Sequence, residues 1–264
     1  MIARTSPVSP PPALAAERRE RVRGMLRERP VLRLRDICGV LGVSEATARR
    51  DLAEMENRGE VRRVHGGVMS LTGAAEEPRF DDKTLRAVKE KRAIAAAALK
   101  LIEPNSRIYL DGGSTVLELA RRLRGRTDLT VVTNSLRAAM ELAGEGPRMI
   151  LLGGELRRLS QTLVGPLTRP LLDTLRLDWA FMGTIGLDRE EGLTTTDPSE
   201  AYTKERVMSR AARVALMCDA SKLNRSSFAR SGRLEDVDVL IVDGRLDSAW
   251  RKALRRAGVQ AVTV

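Results

Sequence analysis

Apolar residues recur at helical spacing in the first quarter of the chain, within segments that are otherwise charged. Val22, Met25 and Leu26 fall at i, i+3 and i+4, which predicts a helix over 17–28. A second, shorter helix is predicted over 34–41, because its apolar residues share one side of a helix. These residues are Leu34, Ile37, Cys38 and Leu41.

A third helix is predicted after a tight turn at 42–44, whose last residue, a serine, is a suitable N-cap. At roughly 100° per residue, Ala48, Leu52 and Met55 fall on one side of this helix, which we expect to face the core. Asp51 lies near that side and is expected to pair with an arginine. A helix, a glycine turn and a second helix at this spacing are typical of proteins that bind duplex DNA.

The opposite face of the third helix is small and polar near its N-terminus, a shape that fits a major groove about 12 Å wide. We expect Arg50 to contact guanine and Arg49, on the flank, to contact phosphate. A short β pattern with a Gly-Gly turn at 60–68 predicts a basic hairpin, or wing, beside this helix. An ordinary solvated surface is the alternative. The candidate DNA contacts are Ser44, Ala46, Thr47, Arg49, Arg50, Arg62 and Arg63.

Short apolar runs alternate with helical patterns over the remaining three quarters of the chain. Residues 71–88 show no clear periodicity and are predicted to form a linker that includes some helix, and a further helix is predicted over 89–102. Strands interleaved with helices of about 10–15 residues predict an α/β domain with a largely parallel sheet. The strand candidates are 107–110, 129–132, 149–152, 179–182, 214–218, 237–242 and 259–264.

Polar residues and glycines follow the first three of these strands, at the edge where parallel α/β sheets bind ligands. Asp111-Gly112-Gly113-Ser114-Thr115 places two glycines and two hydroxyls at a helix N-terminus, which is typical of a phosphate site. The next two strands end in Thr133-Asn134-Ser135 and in Gly153-Gly154. Ordinary turn and cap chemistry explains any one of these motifs, but three in succession favour a shared ligand site.

Two later motifs offer further charged groups. Asp197-Pro198-Ser199-Glu200 has the features of a helix start, and Lys204 is spaced to pair with Glu200 one turn later. A structural helix start and a contribution to the ligand site both remain open for this segment. Asp219-Ala220-Ser221-Lys222 follows a strand and offers a lysine and a hydroxyl to an anion.

Composition and charge restrict the class of protein and of partner. Apolar residues make up 42% of the 264, no uncharged apolar run could span a membrane, and residues 1–16, a predicted disordered tail, lack a signal-peptide core. A cytosolic globular protein is therefore expected. Two cysteines exclude a disulfide framework and a Cys-based zinc site, and no metal or cofactor is expected. The net charge of +11 favours a polyanion, and 3% aromatic residues favour duplex over single-stranded nucleic acid.

Two groups of motifs resemble the DeoR/GlpR family of bacterial transcriptional regulators, over about residues 17–264. The N-terminal match is Val43-Ser44-x-x-Thr47-x-Arg49-Arg50-Asp51-Leu52, followed by Arg63-Val64-His65-Gly66-Gly67. Ala48, where the family usually has a larger aliphatic residue, and Gly39, inside the second helix, depart from the pattern. The C-terminal match runs in family order through Asp111–Thr115, Thr133–Ser135, Leu151–Gly154, Gly165, Gly183, Gly192–Thr194, Asp197, Glu200, Lys204 and Asp219-x-Ser221-Lys222.

The resemblance implies a winged helix-turn-helix domain over 17–70 and a sensor domain over 89–264, related in fold to ribose-5-phosphate isomerase. It also implies that the sensor binds a phosphorylated sugar or related metabolite, and that the protein forms homo-oligomers, dimers or tetramers. Carried over by motif, Asp111–Thr115 and Lys222 hold phosphate and hydroxyls. Asp197, Glu200 and Lys204 line the sugar side.

The expected function is a metabolite-responsive regulator, most often a repressor in this family, which leaves double-stranded operator DNA when its effector binds. A sugar-phosphate isomerase with an accessory DNA-binding domain is the alternative. Asp111, Glu200 and Lys204 are residue types used in acid–base catalysis, but no base–acid pair has independent support in the sequence, so no catalytic residue is assigned. An architectural DNA binder fits the charge but leaves the glycine-rich strand ends unexplained.

Overall fold

The structure, a computed structural model, describes residues 15–28, 31–57, 60–64, 66–70 and 77–264 of the chain. It divides into two compact units, Met1–Glu76 and Glu77–Val264. Of the predicted tail, only residues 15 and 16 lie among the described residues, and they belong to the first helix.

The first unit, in its described residues, combines helices with a small antiparallel sheet. Its elements are α1 (Ala15–Glu28), β1 (Val31–Arg33), α2 (Leu34–Leu41), α3 (Glu45–Asn57), β2 (Val61–Val64) and β3 (Gly67–Ser70). The strand order is β1-β3-β2, and both neighbouring pairs are antiparallel. The β2–β3 hairpin is the predicted wing, and the predicted winged helix-turn-helix fold is confirmed.

The helical faces predicted to be apolar form the core of this unit. Gly42 ends α2 with φ +65°, and its N–H donates to Cys38 O at 2.9 Å. Ser44 Oγ accepts from Thr47 N–H at 3.3 Å, as expected of an N-cap. Asp51 is buried and accepts two hydrogen bonds from the Arg18 guanidinium, at 2.7 and 3.1 Å, so its predicted pairing is confirmed. The buried apolar residues are Val22, Leu26, Leu32, Leu34, Ile37, Leu41, Ala48, Leu52, Met55, Val61 and Val68.

The second unit alternates strands and helices. Its helices are α4 (Phe80–Thr84), α5 (Val88–Leu99), α6 (Ser114–Arg122), α7 (Leu136–Leu142), α8 (Arg169–Leu172), α9 (Pro198–Met208) and α10 (Ser248–Arg256), with short 3-10 turns at Pro166–Thr168, Ala220–Lys222 and Leu234–Asp236. Its strands are β4 (Arg107–Leu110), β5 (Thr130–Thr133), β6 (Arg148–Leu151), β7 (Glu155–Arg157), β8 (Thr162–Val164), β9 (Leu177–Met182), β10 (Gly186–Asp188), β11 (Gly192–Thr195), β12 (Ala211–Cys218), β13 (Ala229–Gly232), β14 (Val239–Val242) and β15 (Gln260–Thr263).

Seven of these strands form one sheet in the order β15-β14-β12-β9-β4-β5-β6, and every neighbouring pair is parallel. They coincide with the seven predicted runs, with ends that differ by at most three residues. Apolar side chains cover both faces, as a parallel sheet requires. One face packs against α5, α6 and α7, and the other against α9 and α10. The predicted α/β fold is confirmed, and the carboxyl ends of β4, β5 and β6 share one edge.

Two parts of the second unit differ from the prediction. The β7–β8 hairpin and the β10-β11-β13 sheet were not predicted, because each strand has only three or four residues and lacks a continuous apolar run. Of the predicted linker 71–88, residues 71–76 lie outside the described residues, while 77–88 include helix α4 and belong to the second unit. Phe80 ties this segment to the second unit, because it is 2% exposed and belongs to the same hydrophobic core cluster as Ile94.

Candidate functional sites

The side of α3 that faces away from the core carries small side chains and an arginine. Ala46 and Arg50 are exposed, and Thr47 is half-buried beside the Ser44 cap. Among the described residues, the Arg50 guanidinium has no hydrogen-bond or ion-pair partner. Its five donors are therefore available to a base edge or a phosphate.

The flanking arginines lie in different settings. Arg49 pairs with Glu45 at 3.3 Å, and both side chains are exposed, so the pair adds little stability. Arg63, on β2, is exposed, and its backbone N–H donates to Glu56 Oε1 at 2.9 Å, which connects the wing to α3. Arg62 lies on the same strand, but its side chain lies outside the described residues.

A buried ion cluster lies at the carboxyl end of β4. Asp111 Oδ2 accepts from Gly183 N–H at 2.9 Å and pairs with the ammonium of Lys204, from α9. Lys204 Nζ also donates to Gly183 O at 3.0 Å and lies 3.6 Å from Glu200 Oε1. The predicted Lys204–Glu200 contact therefore forms, but Asp111 is the closer partner. The pKa of Lys204 is raised overall: burial acts to lower it, but the negative charges of Asp111 and Glu200 outweigh burial. The lysine therefore stays charged.

Gly112 and Gly113 connect this cluster to α6. A Cβ on Gly112 would lie 2.1 Å from Thr162 Cγ2, and Gly113 has φ +135°, a conformation that favours glycine. Because Gly113 caps α6 without a side-chain hydrogen bond, the first N–H groups of this helix keep their donor capacity. Ser114 and Thr115 are buried in its first turn. This arrangement can bind an oxyanion.

The polar residues that follow β5 and β6 have structural partners. Thr133 Oγ1 donates to Leu110 O at 2.7 Å, and Ser135 Oγ caps α7 by accepting from Ala138 N–H at 3.2 Å. Asn134 Nδ2 donates to Leu163 O at 3.1 Å, while its buried Oδ1 has no hydrogen-bond partner among the described residues. These contacts are turn and cap chemistry, and a ligand role for these residues stays a prediction.

Of the two glycines after β6, Gly154 lies beside strand β8. A Cβ on Gly154 would lie 2.9 Å from Val164 O, so this position needs glycine for close backbone packing. A Cβ on Gly153 would meet open space. Their predicted ligand contacts likewise remain predictions.

Asp197 begins α9 as predicted. Its Oδ1 accepts from Glu200 N–H at 2.9 Å, which confirms the helix start. Glu200 is buried, and burial raises its pKa. The segment is therefore both a structural helix start and part of the charged cluster.

Arg157, from β7, was missed by the sequence analysis although it joins three carboxylates. Its Nη2 donates to Glu77 Oε2 at 2.6 Å, its Nη1 lies 3.1 Å from Glu200 Oε2, and its Nε lies 3.5 Å from Asp197 Oδ2. Burial alone raises the pKa of Glu77, but hydrogen bonds from Arg157 and Lys83 and the charge of Lys83 hold that pKa at about 2. No local sequence signal distinguishes Arg157 from the other basic residues.

Lys222 lies on the 3-10 turn after β12, whose start is capped by Asp219. Its side chain is half-buried, and its ammonium makes no hydrogen bond or ion pair with another described residue. Burial lowers the pKa of Lys222, the nearby Asp219 opposes that effect, and the charge of Lys83 adds to it. An anion placed here would stabilise the charged lysine.

Three further properties of the described residues concern membranes, metals and thiols. No helix among the described residues is long and apolar enough to cross a membrane. Within those residues, no three His, Cys, Asp or Glu side chains are grouped as metal ligands. Cys218 is 2% exposed, and burial raises the pKa of its thiol.

Comparison with known families identifies both units. Residues 18–73 match the DeoR-like helix-turn-helix domain, and residues 86–244 match the DeoR C terminal sensor domain. Among solved structures, ribose 5-phosphate isomerase A from Methanocaldococcus jannaschii aligns over 50% of this chain and 53% of its own, with 20% identity and a TM-score of 0.37. Nothing about activity follows from that partial likeness.

Curated relatives align over nearly the whole chain. The HTH-type transcriptional regulator GlpR of Haloferax volcanii is 38% identical over 94% of this chain and 98% of its own length. A putative aga operon transcriptional repressor of Escherichia coli O157:H7 is 35% identical over 94% of each chain. The lactose phosphotransferase system repressor of Streptococcus mutans is 32% identical over 89% of this chain and 95% of its own length.

These relatives are named as regulators of transcription, and both units match domains of one regulator family. The protein is thus a regulator of transcription and not an enzyme, so the isomerase alternative is not favoured. By its DNA-binding domain, its sensor domain and its full-length relatives, this chain belongs to the DeoR family of DNA-binding transcriptional regulators.

Proposed function

We propose that the protein is a repressor of a carbohydrate-related operon, which binds operator DNA through α3 and the β2–β3 wing. In this proposal a phosphorylated sugar binds at the carboxyl edge of the seven-stranded sheet and lowers the affinity for the operator. The names of the relatives support repression rather than activation, and a carbohydrate-related operon, because two are repressors named for the aga operon and the lactose phosphotransferase system.

The observation that carries the proposal is the buried ion cluster formed by Asp111, Lys204, Glu200 and Arg157. Buried ion pairs are weak sources of stability because of the cost of removing charges from water, so such a cluster at a sheet's carboxyl edge is a candidate ligand site. Glu200 Oε2 and Arg157 Nη1 are both buried and face each other at 3.1 Å as an ion pair, but neither makes an aligned hydrogen bond among the described residues. Sugar hydroxyls can donate to the first and accept from the second.

The phosphate of the effector is assigned to the N-terminus of α6 and to Lys222. The N–H groups after Gly113, which have no side-chain cap, supply donors, and the ammonium of Lys222, which has no ion-pair partner in the described part of the chain, supplies positive charge. The protein is proposed to act as a dimer or tetramer, since operators with two-fold symmetry match paired DNA-binding units.

The experiment is a DNA-binding titration with a fragment from upstream of the chain's own gene, repeated with a panel of sugar phosphates. Arg50→Ala is expected to weaken binding to the preferred sequence by about 1–3 kcal/mol, whereas Arg255→Ala, exposed on α10, should not. Lys222→Ala should keep operator binding and lose the response to the effector, whereas Lys252→Ala, also exposed on α10, should keep both. A normal response in Lys222→Ala would refute the assigned phosphate site.

Salt dependence tests the duplex contact separately. If the assembly neutralises about eight phosphates, log K should fall against log salt with a slope near −7. Binding that does not change with salt would contradict the proposed DNA contact.

A further inference from the structure

Glu77 is a buried carboxylate that is held by groups bordering the proposed effector site. Its side chain is 1% exposed. Lys83 Nζ donates to Oε1 at 2.7 Å, and Arg157 Nη2 and Thr196 Oγ1 each donate to Oε2 at 2.6 Å. Three segments of the second unit thus donate to one carboxylate, and one of the donors, Arg157, also faces Glu200 of α9.

The lysine that holds Glu77 belongs to a group of three ammonium groups. Lys83 lies close enough to Lys222 and Lys91 to lower the pKa of each, in addition to the lowering caused by burial. Asp219 is the carboxylate that opposes this effect at both sites. Lys91 Nζ also donates to Lys83 O, and Glu77 is the carboxylate that the Lys83 ammonium itself binds.

An incoming phosphate would compete with Glu77 for this positive charge. A phosphate at Lys222 carries about −1.5 to −2 charges at neutral pH and is a stronger partner for Lys83 than a carboxylate. It would also repel the carboxylate of Glu77, since like charges at short distance inside a protein cost free energy. Binding of the phosphate and retention of Glu77 at Lys83 are therefore opposed.

Loss of the Glu77 contacts would affect the start of the second unit. Glu77 is the first residue of the second unit, and Phe80, three residues later, is fixed in the hydrophobic core. Displacement of Glu77 would thus change how the chain before Phe80 is held, while the core keeps its packing. Residues 71–76 connect this point directly to β3 of the DNA-binding unit.

We propose that Glu77 is an internal competitor of the effector: its carboxylate binds Lys83 and Arg157 in the unliganded protein, and the effector's phosphate displaces it. This inference deepens the proposed function and rests on it, because it requires a phosphate at Lys222. It adds Lys83 to the effector-binding residues and makes Glu77 a positioning residue for the connection to the DNA-binding unit.

The test uses the full chain and inorganic phosphate as the probe, with chloride at matched ionic strength as the blank. Calorimetric titration compares the unsubstituted protein with Glu77→Gln, which keeps the shape and a hydrogen-bond acceptor but removes the charge. Glu77→Gln is expected to bind phosphate at least about fivefold more tightly, the lower end of the range for coupled sites. The matched control is Asp81→Asn, which removes a 71% exposed carboxylate from the adjoining helix α4.

A second measurement separates displacement from a general change of charge. The ¹³C carboxyl resonance of Glu77, assigned by its loss in Glu77→Gln, should move toward the position of a solvent-exposed glutamate when phosphate is added. A charge effect without displacement would tighten phosphate binding in Glu77→Gln but leave this resonance in place.

Each outcome decides the inference. Tighter binding in Glu77→Gln together with the resonance shift supports it. Phosphate binding that depends on Lys222 but leaves the Glu77 resonance unchanged, or is weaker in Glu77→Gln, overturns the inference alone. If neither form binds phosphate or any sugar phosphate of the panel, the proposed function fails and the inference fails with it.

Discussion

The ion pair between Lys204 and Asp111 allows a quantitative test of the buried cluster. Lys204→Met removes the ammonium and leaves Asp111 and Glu200, which are 2% and 7% exposed, without their shared cation. Removal of one partner of a buried pair typically costs about 3–5 kcal/mol, because the remaining charge stays out of water. Since two carboxylates are left here, we expect a loss of unfolding free energy at the upper end of that range.

Substitution of the other partner, Asp111, is expected to lower the free energy of unfolding by less. In Asp111→Asn, Lys204 keeps Gly183 O at 3.0 Å and Glu200 at 3.6 Å, so we expect a loss of about 1.5–3 kcal/mol for the charged hydrogen bond. When both substitutions are combined, the uncompensated charge at Asp111 is absent. The double variant should therefore lose less than the sum of the single losses, by about 1–3 kcal/mol.

The assay is urea unfolding followed by tryptophan fluorescence. The chain has two tryptophans, and both Trp179 and Trp250 lie in the second unit, so the signal reports the unit that contains the pair. The control is Lys252→Met, an exposed lysine on α10, which should change the unfolding free energy by less than about 0.5 kcal/mol. Losses of Lys204→Met and Asp111→Asn that add within about 0.5 kcal/mol would refute a direct buried pair.

Three further predictions concern other parts of the chain. Gly39 is exposed inside α2, and an added Cβ would meet open space, so Gly39→Ala should stabilise the first unit by roughly 1 kcal/mol. Gly42→Ala should destabilise the same unit, because Gly42 has φ +65°. Calorimetry would measure both changes. The pKa of Glu77 is about 2 in the folded protein, against an ordinary value of 4.5. Its ionised carboxylate therefore adds about 3 kcal/mol to the free energy of unfolding above pH 4.5, and this stabilisation is lost as the pH falls toward 2. Urea titrations at about pH 5 and pH 3 should therefore show a smaller acid loss in Glu77→Gln. Iodoacetamide should modify Cys38, which is half-buried, before Cys218, whose thiol is buried and has a raised pKa; equal rates in the native protein would contradict this.

The regular parts of the fold were predictable because buried apolar residues recur in the sequence at the spacing of the helix or strand that contains them. The parallel strands are covered on both faces, so each is a continuous apolar run, as in Val239–Val242, whose four residues are all buried. The hairpin strand Glu155–Arg157 has one apolar residue and pairs with only one neighbour, so no periodicity marks it. The segment before α5 was missed for a related reason: one aromatic residue, Phe80, places it in the core, and one residue makes no pattern.

Of the charged cluster, Asp111 was predicted from a strand end, and Glu200 and Lys204 from a helix-start motif and the family resemblance. Asp111 follows β4 directly, and the parallel topology alone places it at the edge that binds ligands. Arg157 and Glu77 reach the same cluster from a short hairpin and from the segment before α5, separated by 80 residues along the chain. Their meeting depends on how these segments fold back over the sheet edge, which no local pattern encodes.

The free energy needed for release from the operator limits how the proposed switch can work. An effector changes DNA binding only through its different affinity for the two states, and a change from 1% to 99% released requires about 5.5 kcal/mol. A charged hydrogen bond, such as the one that would be exchanged between Lys83 and Glu77, contributes about 1.5–3 kcal/mol. One site per DNA-bound assembly therefore falls short, whereas about two to four sites acting together reach the required value. Displacement of Glu77 can operate the switch only if the operator is bound by an oligomer in which each chain contributes one such exchange, and release should then depend on effector concentration with a Hill coefficient above one.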